Sequence, residues 1–192
     1  MTRRIVPLLC LVCAGPVLAH ITPPVMLTSD RDAVATLLRG ARRYFVREVR
    51  LTGAQREAIR QQTGWTPDEE FYRFYLGRDE QGHDIGAVAF LSDYTIHGPV
   101  RVAVGVATDG RVRGAKVTEL TEETYPWVKS LLDHGFLDQF EGTDGRATLR
   151  TASGGGGSMS RFYGEVIRGL VRRGAVLYDV AVRRREAPPQ PQ

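Results

Sequence analysis

The clearest pattern in the chain is a regular alternation of apolar and other residues in its middle third. Between Val100 and Val106, valine occupies every second position, and arginine, alanine and glycine fill the positions between. This period of two predicts a half-buried strand, and Asp109-Gly110 after it is a strong hairpin signal. The antiparallel strands of the resulting meander are predicted over 71–76, 84–91, 100–106 and 112–119, with a turn at 79–82.

Two helix starts precede this meander. Ser29, with Asp32 three residues later, is typical of a helix N-cap, and Gly40 ends the helix that it begins. Thr52 and Gln55 form a capping-box pattern for a second helix. This second helix is predicted to run to about Gln62 and to stop at Gly64, and a strand is predicted over 44–49.

The last third of the chain is more helical. Helices are predicted over 124–134 and 160–172, an apolar loop or turn over 136–140, and a glycine loop over 153–157. Residues 176–182 alternate valine or tyrosine with other residues, which predicts a closing strand. The fold class expected is therefore α+β, a twisted and mainly antiparallel sheet with helices packed on it.

The N-terminus has the layout of a secretory signal peptide. Arg3 and Arg4 precede an apolar run over 5–12, and Val17-Leu18-Ala19 ends the segment with small residues where a signal peptidase cleaves. A short buried helix and an uncleaved anchor are the alternatives. We expect cleavage after residue 19 and a mature domain in the periplasm or outside the cell.

Export is consistent with the cysteine content. Both cysteines, Cys10 and Cys13, lie within the predicted signal, so the mature chain has no disulfide and no thiolate metal site. His83 and His134 have no second ligand at metal spacing, so no metal site is assigned. The predicted divisions are a signal peptide at 1–19, an extended lead-in at 20–28, one domain at 29–185 and a disordered tail at 186–192.

The charge of the mature domain is nearly balanced. The formal charge of the chain is +4, and the signal peptide carries Arg3 and Arg4, which leaves about +2. An exported domain with so little net charge is not expected to bind nucleic acid. Arg183-Arg184-Arg185 is the only dense basic cluster, and we interpret it as a solvated tail rather than a lipid contact.

The glycine loop is the segment with the most chemical information. Ser153-Gly154-Gly155-Gly156-Gly157-Ser158 precedes a helix, so backbone N–H groups and hydroxyls could surround a phosphate there. A flexible loop is the alternative, and Gly-Gly-Gly-Gly-Ser is also the usual engineered linker unit. The segment is neither a P-loop nor a dinucleotide fingerprint, since the Gly-Lys-Ser/Thr ending and a parallel βαβ unit are both missing.

Four motifs then occur in the order found in a known family. They are the signal peptide, a hairpin with His97-Gly98 before its valine-rich strand and Asp109-Gly110 after it, the turn Glu122-Glu123-Thr124 with the later segment 136–142, and the glycine loop before the last helix. In this order the chain resembles the extracytoplasmic FMN-binding domain family. That family includes the C subunit of the sodium-pumping NADH:quinone reductase and the G subunit of the Rnf electron-transport complex. The likeness covers roughly residues 70–180.

The resemblance implies how FMN would be attached. In that family a flavin transferase esterifies the threonine of a Ser-Gly-Ala-Thr loop to the FMN phosphate. Aligning Gly155, Gly156 and Gly157 with this motif makes Ser158 the acceptor and Ser160 the later hydroxyl. A register that starts at Ser153 instead puts Gly156 at the acceptor position, which would abolish attachment. Gly157 replaces the family's alanine, and the usual aspartate is missing at 150–152.

The same resemblance places other residues near the cofactor. They are His97, Glu123 and Thr124, although His97 could instead cap a strand end. Tyr125, Trp127 and Phe162 could stack on the flavin or pack in the core.

The function implied is that of an exported electron-transfer module rather than an enzyme with its own substrate. FMN would be its cofactor, and its partners would be redox proteins, membrane-bound ones included, and a flavin transferase. One alternative is a family member that has lost the flavin and serves as a structural or partner-binding domain. The other is an unrelated exported enzyme or solute-binding domain.

Overall fold

A computed structural model describes residues 23–145 and 157–184 of the chain. Six strands form one sheet: β1 (Pro24–Met26), β2 (Arg43–Val49), β3 (Tyr72–Arg78), β4 (Asp84–Thr95), β5 (Gly98–Ala107) and β6 (Val112–Thr121). The α-helices are α1 (Asp30–Leu37), α2 (Gly53–Thr63), α3 (Tyr125–Asp133) and α4 (Ser158–Tyr178). A 3₁₀ turn covers Asp138–Phe140, and a π-helical turn covers Asp179–Arg183.

The sheet has the strand order β1-β6-β5-β4-β3-β2, and every neighbouring pair is antiparallel. Strands β3 to β6 form the expected meander, joined by short turns, and β2 pairs with β3 at one end of it. The lead-in joins the sheet as well, because β1 pairs with β6 from Pro24 opposite Thr121 to Met26 opposite Glu119. The α+β class with a mainly antiparallel sheet is therefore confirmed.

Local capping explains where the early helices begin. The Ser29 hydroxyl accepts a hydrogen bond from the Asp32 N–H at 3.1 Å, as predicted. Thr52 and Gln55 form a complete capping box, and Gly64 ends α2 in the left-handed conformation at φ 72°. Each of these devices is local in sequence, so residue type and spacing were sufficient to find it.

Helices cover the two faces of the sheet unequally. The long helix α4 packs on β4, β5 and β6, with α2 and α3 beside it, and encloses the main core. On the opposite face α1 packs on β5 and β6, where Val34 and Leu37 meet Val88 and Ala103. Within the described ranges, no helix is both long enough and apolar enough to span a membrane.

The predicted closing strand is wrong, since residues 176–182 continue α4 and the π-helical turn. Burial there has no period of two, because Leu177 and Ala181 are as deeply buried as Val176 and Val182. A helix that is buried on all sides gives the same run of apolar residues as a buried strand, so periodicity does not separate them.

The helical geometry also accounts for the basic cluster. The buried Asp179 carboxylate forms ion pairs with Arg183 and Arg184, which helical spacing brings back to it. Arg184 Nε donates to Asp179 Oδ2 at 2.9 Å. These two arginines are thus not a solvated tail, and Arg185 lies outside the described residues.

Candidate functional site

The first turn of α4 carries the two candidate phosphate-binding hydroxyls. Gly157 is the N-cap residue and provides no side-chain cap, and Ser158 follows as the first helical residue. The Ser158 side chain is exposed, whereas Ser160 is buried at 5% exposure. Three further predicted residues, Ser153, Gly155 and Gly156, lie outside the described residues.

This turn suits an anion in chemical terms. The first N–H groups of an α-helix lack intrahelical acceptors and carry a partial positive charge. Among the described residues, a Cβ atom built on Gly157 would meet nothing within 4 Å, so these residues leave the helix start open. An exposed hydroxyl, an open approach and a helix N-terminus together fit a phosphate ester at Ser158.

A hairpin tip lies close to α4. Pairing between β3 and β4 ends at Phe74 opposite Ala89, but β4 and β5 stay paired as far as Thr95 opposite Gly98. The tip therefore projects beyond β3. The Thr95 hydroxyl fixes the turn by donating to the Gly98 carbonyl at 2.9 Å.

His97 lies at this tip and contacts the turn before α3. Its Nδ1 atom is 2.8 Å from Glu123 Oε1, so the predicted residues His97 and Glu123 form a direct hydrogen bond. The His97 carbonyl accepts a hydrogen bond from the Thr121 hydroxyl at 2.7 Å. The residue thus ties the β4–β5 turn to the end of β6.

Buried hydroxyls connect the tip to α4. The Thr121 and Thr124 hydroxyls are 2.8 Å apart, and both residues are nearly inaccessible to solvent. The Thr124 hydroxyl also lies 3.4 Å from the Tyr163 hydroxyl, and Thr95 Oγ1 lies 3.1 Å from the same atom. Tyr163 is therefore the point on α4 to which the strand ends are hydrogen-bonded.

Aromatic rings complete the group. Trp127 is stacked on Tyr163 with ring centroids 5.7 Å apart and an angle of 14°. The His97 ring meets Trp127 edge-on at 5.1 Å, and Phe162 meets Tyr163 edge-on at 5.1 Å. Phe162 is 46% exposed, whereas Tyr163 is fully buried.

The structure thus brings His97, Glu123 and Thr124 together around Trp127 and the second turn of α4. Sequence reasoning missed Tyr163, whose side chain contacts Thr95, Thr124 and Trp127. Its only signal is its position five residues after Ser158, and that position does not reveal which strands reach it. Glu122, in the same turn, is exposed.

Two cavities bordered by described residues lie elsewhere. One of about 1010 Å³ is bordered by α1, β6 and the 3₁₀ turn, and one of about 520 Å³ by β3, β4 and α4. Neither is lined by Ser158, His97 or Trp127. Among residues 23–145 and 157–184, no cluster of three His, Cys, Asp or Glu side chains could hold a metal ion.

The smaller cavity contains an ion pair that joins α1 to the sheet. Arg101 donates to both oxygens of Asp30, at 2.5 and 2.9 Å. These hydrogen bonds hold the pKa of the Asp30 carboxyl below its usual range. The Arg101 guanidinium also lies over the Phe90 ring at 4.3 Å.

Sequence comparison relates the chain to proteins of one kind. No family model matches the chain. The G subunit of the ion-translocating oxidoreductase complex, from two strains of Cereibacter sphaeroides, is 32% identical over 124 residues. The match covers 58% of this chain and 55% of each relative, so the chain spans about half the length of the curated relatives it matches. The chain is therefore similar in sequence to the G subunits of ion-translocating oxidoreductase complexes, which confirms the resemblance that the ordered motifs predicted.

Proposed function

We propose that this chain is an exported electron-transport domain that carries FMN at the first turn of α4. The similarity to the G subunit of an ion-translocating oxidoreductase supports an electron-transport role of the flavoprotein type. The observation that carries the proposal is that Ser158 and Phe162, four residues apart on α4, are both exposed. Residues at that spacing lie on one face of a helix, about 6 Å apart along its axis.

Different residues of the described chain would contact the phosphate and the flavin ring of FMN. The Ser158 hydroxyl and the N–H groups after Gly157 would hold the phosphate, in the field of the helix N-terminus. Phe162 offers an exposed aromatic face on the same side, and the His97–Glu123 pair lies at the edge of the same group. When bound, FMN supplies one-electron and two-electron redox chemistry.

Ser158 is favoured over Ser160 as the acceptor because a transferase must reach the hydroxyl. Ser158 is exposed at the start of α4, while Ser160 is buried. The competing register, with Gly156 at the acceptor position, would leave no hydroxyl to esterify. The presence or absence of FMN on Ser158 therefore decides between the two alignments.

Export and redox partners form part of the proposal. The Arg3-Arg4 n-region and the apolar run after it would direct the chain across the membrane, with cleavage after Ala19. Outside the cytoplasm, the partners would be redox proteins, including membrane-bound ones. The similar G subunit is by its name one part of a complex, which supports a protein partner.

The test is to express the full chain with a flavin transferase in a bacterial periplasm. The protein is purified under denaturing conditions, and its mass and visible spectrum are recorded. We expect an FMN adduct on the Ser158 peptide and an N-terminus at His20. Ser158→Ala should lose the adduct, and Ser160→Ala serves as the matched hydroxyl control that should keep it.

Two outcomes would contradict parts of the proposal. If the purified protein is colourless but becomes yellow when FMN is added after refolding, the result would support FMN as the cofactor and overturn the phosphoester at Ser158. An unmodified protein that also fails to bind added FMN would overturn the cofactor. Cell fractionation tests export separately, since retention of the chain in the cytoplasm would contradict only that step.

One observation favours a second candidate, a flavin-free domain that binds a protein partner. The rings at the site already contact one another, with Trp127 between His97 and Tyr163. A flavin-free relative would keep this packed group as a rigid surface. It predicts that no flavin is found in any preparation and that Trp127→Ala, which removes the central ring of this surface, weakens partner binding.

A further inference from the structure

Within residues 23–145 and 157–184, strand β2 is an open edge of the sheet. It is the last strand in the order, and all seven of its residues pair with β3 without a register shift. Alternate N–H and C=O groups of an edge strand point away from the sheet and can accept another strand. The opposite edge, β1, is only three residues long.

The outward surface of β2 is unusually apolar for such an edge. Tyr44, Phe45 and Val46 are consecutive and are 48%, 41% and 57% exposed. Because side chains alternate along a strand, Phe45 lies on the α4 face and the other two on the α1 face. On that face of the sheet, α1 packs on β5 and β6. Among the described residues, it therefore leaves Tyr44 and Val46 uncovered.

Strand β2 lacks most devices that protect an edge. It contains no proline and no bulge, and its charges are Arg43, Arg47 and Glu48. Natural edges that avoid pairing usually carry one of those interruptions. A regular, exposed strand with three large apolar residues is therefore suited to pairing with another strand.

The positions of the charges indicate a second copy as the occupant. When two copies pair antiparallel about a two-fold axis, residues that lie directly opposite each other have their side chains on the same face of the sheet. The axis must therefore lie midway between one residue and the same residue of the other copy. An axis at Phe45 would set Arg43 opposite Arg47, and axes at Arg47 or Glu48 would oppose like charges directly.

An axis at Val46 avoids each of these repulsions. It sets Phe45 opposite Arg47 and Tyr44 opposite Glu48 of the other copy, twice by symmetry. A guanidinium beside an aromatic ring is a favourable pair; the Phe45 ring already has the Arg78 guanidinium of its own chain over it at 4.6 Å, and Arg47 of the other copy would approach the same ring from the open edge. The two Val46 side chains would meet at the centre. This register also pairs the whole length of β2, so the strand is self-complementary about Val46.

We propose that two copies of this chain associate through β2, antiparallel about a two-fold axis at Val46, and join their sheets into one. None of the contacts described at the candidate site involves a residue of β2, and the proposal does not depend on FMN. Its failure would leave the proposed function unaffected, and the reverse also holds.

The test uses sedimentation equilibrium of the mature chain and of three variants. We expect the unmodified chain to form dimers, and Val46→Lys and Val46→Glu each to be monomeric because like charges meet at the axis. An equimolar mixture of these two variants should restore the dimer, since lysine then meets glutamate. Met26→Lys is the matched control, because Met26 lies on the other edge strand with 59% exposure.

Three results would overturn the proposal. They are a monomeric unmodified chain, a dimer that survives Val46→Lys, and a mixture of the charge variants that stays monomeric. Amide hydrogen exchange of the unmodified chain gives a check that needs no variant. Protection of the β2 amides should rise with protein concentration, and protection that stays constant would also contradict the interface.

Discussion

Gly174 lies near the segment that sequence reasoning predicted wrongly as a strand, so a substitution at this residue tests the helical structure found there. A Cβ atom placed on this residue would lie 2.9 Å from Val104 Cβ and 3.0 and 3.1 Å from its methyl groups. Val104 is fully buried in β5 and branched at Cβ, so it has little freedom to turn away. Gly174→Ala should therefore push α4 away from the sheet.

A second glycine on the same helix provides the matched control. A Cβ atom on Gly169 would meet nothing within 4 Å. Replacing a helical glycine by alanine gains about 1 kcal/mol in helix propensity. Gly169→Ala should show this gain, while Gly174→Ala combines the same gain with an overpacking cost of about 1–3 kcal/mol.

The propensity gain cancels when the two variants are compared with each other. We expect Gly174→Ala to be less stable than Gly169→Ala by about 1–3 kcal/mol, or about 2–12 °C in Tm for a domain of this size. Urea unfolding followed by tryptophan fluorescence and far-UV circular dichroism measures the difference. The m values should be equal, which shows that both variants unfold from the same compact state.

Equal stability of the two alanine variants would refute the reasoning. In that case residue 174 would not lie against Val104, and α4 would not extend across β5. The alternative predicted from the alternating residues, a helix that ends near Arg172 followed by a strand, would then regain support. A glycine in such a connection meets no strand and would tolerate alanine.

Two further predictions concern the ion pair and the buried hydroxyls. Asp30→Asn should lower stability at neutral pH, because Arg101 holds the pKa of Asp30 below its usual range in the folded state. The stability due to a depressed carboxyl pKa is present above the unfolded pKa and is lost as pH falls through the folded pKa, so the gap should narrow as the pH falls below about 4. A gap in urea midpoint that is the same at neutral and at acid pH would contradict this. Thr124→Val keeps the side-chain shape but removes hydroxyl contacts to Thr121 and Tyr163, and should cost about 1–3 kcal/mol in urea unfolding. A loss well under about 0.5 kcal/mol would mean that these contacts do not form.

Short-range signals were sufficient for much of the fold. The caps at Ser29 and Thr52, the stop at Gly64 and the hairpin at Asp109-Gly110 each act within a few residues. Their chemistry is local, because a hydroxyl or a left-handed glycine satisfies backbone groups in its own neighbourhood. The valine alternation in β5 is also local, since side chains alternate between the two faces of a strand. That α1 covers the second face as well, and buries Ala103 there, is a tertiary feature.

The candidate site was predicted only in outline. His97, Glu123 and Thr124 were identified from motif order, and they do lie together. Tyr163 was not identified, although it links Thr95, Thr124 and Trp127. These residues are far apart in sequence, and no local pattern reports which side chain a folded sheet brings to a helix.

Sequence by itself determined the starts of the early helices, the meander and the order of the motifs, because each depends on interactions between near neighbours. Tertiary structure alone decided that residues 176–182 are helical and that the end of β4 and the turn after β6 meet α4 at Tyr163. The physical reason is that apolar residues in the core satisfy burial equally well as strand or helix. The choice is made by the partners around them, here the sheet below and α2 beside α4.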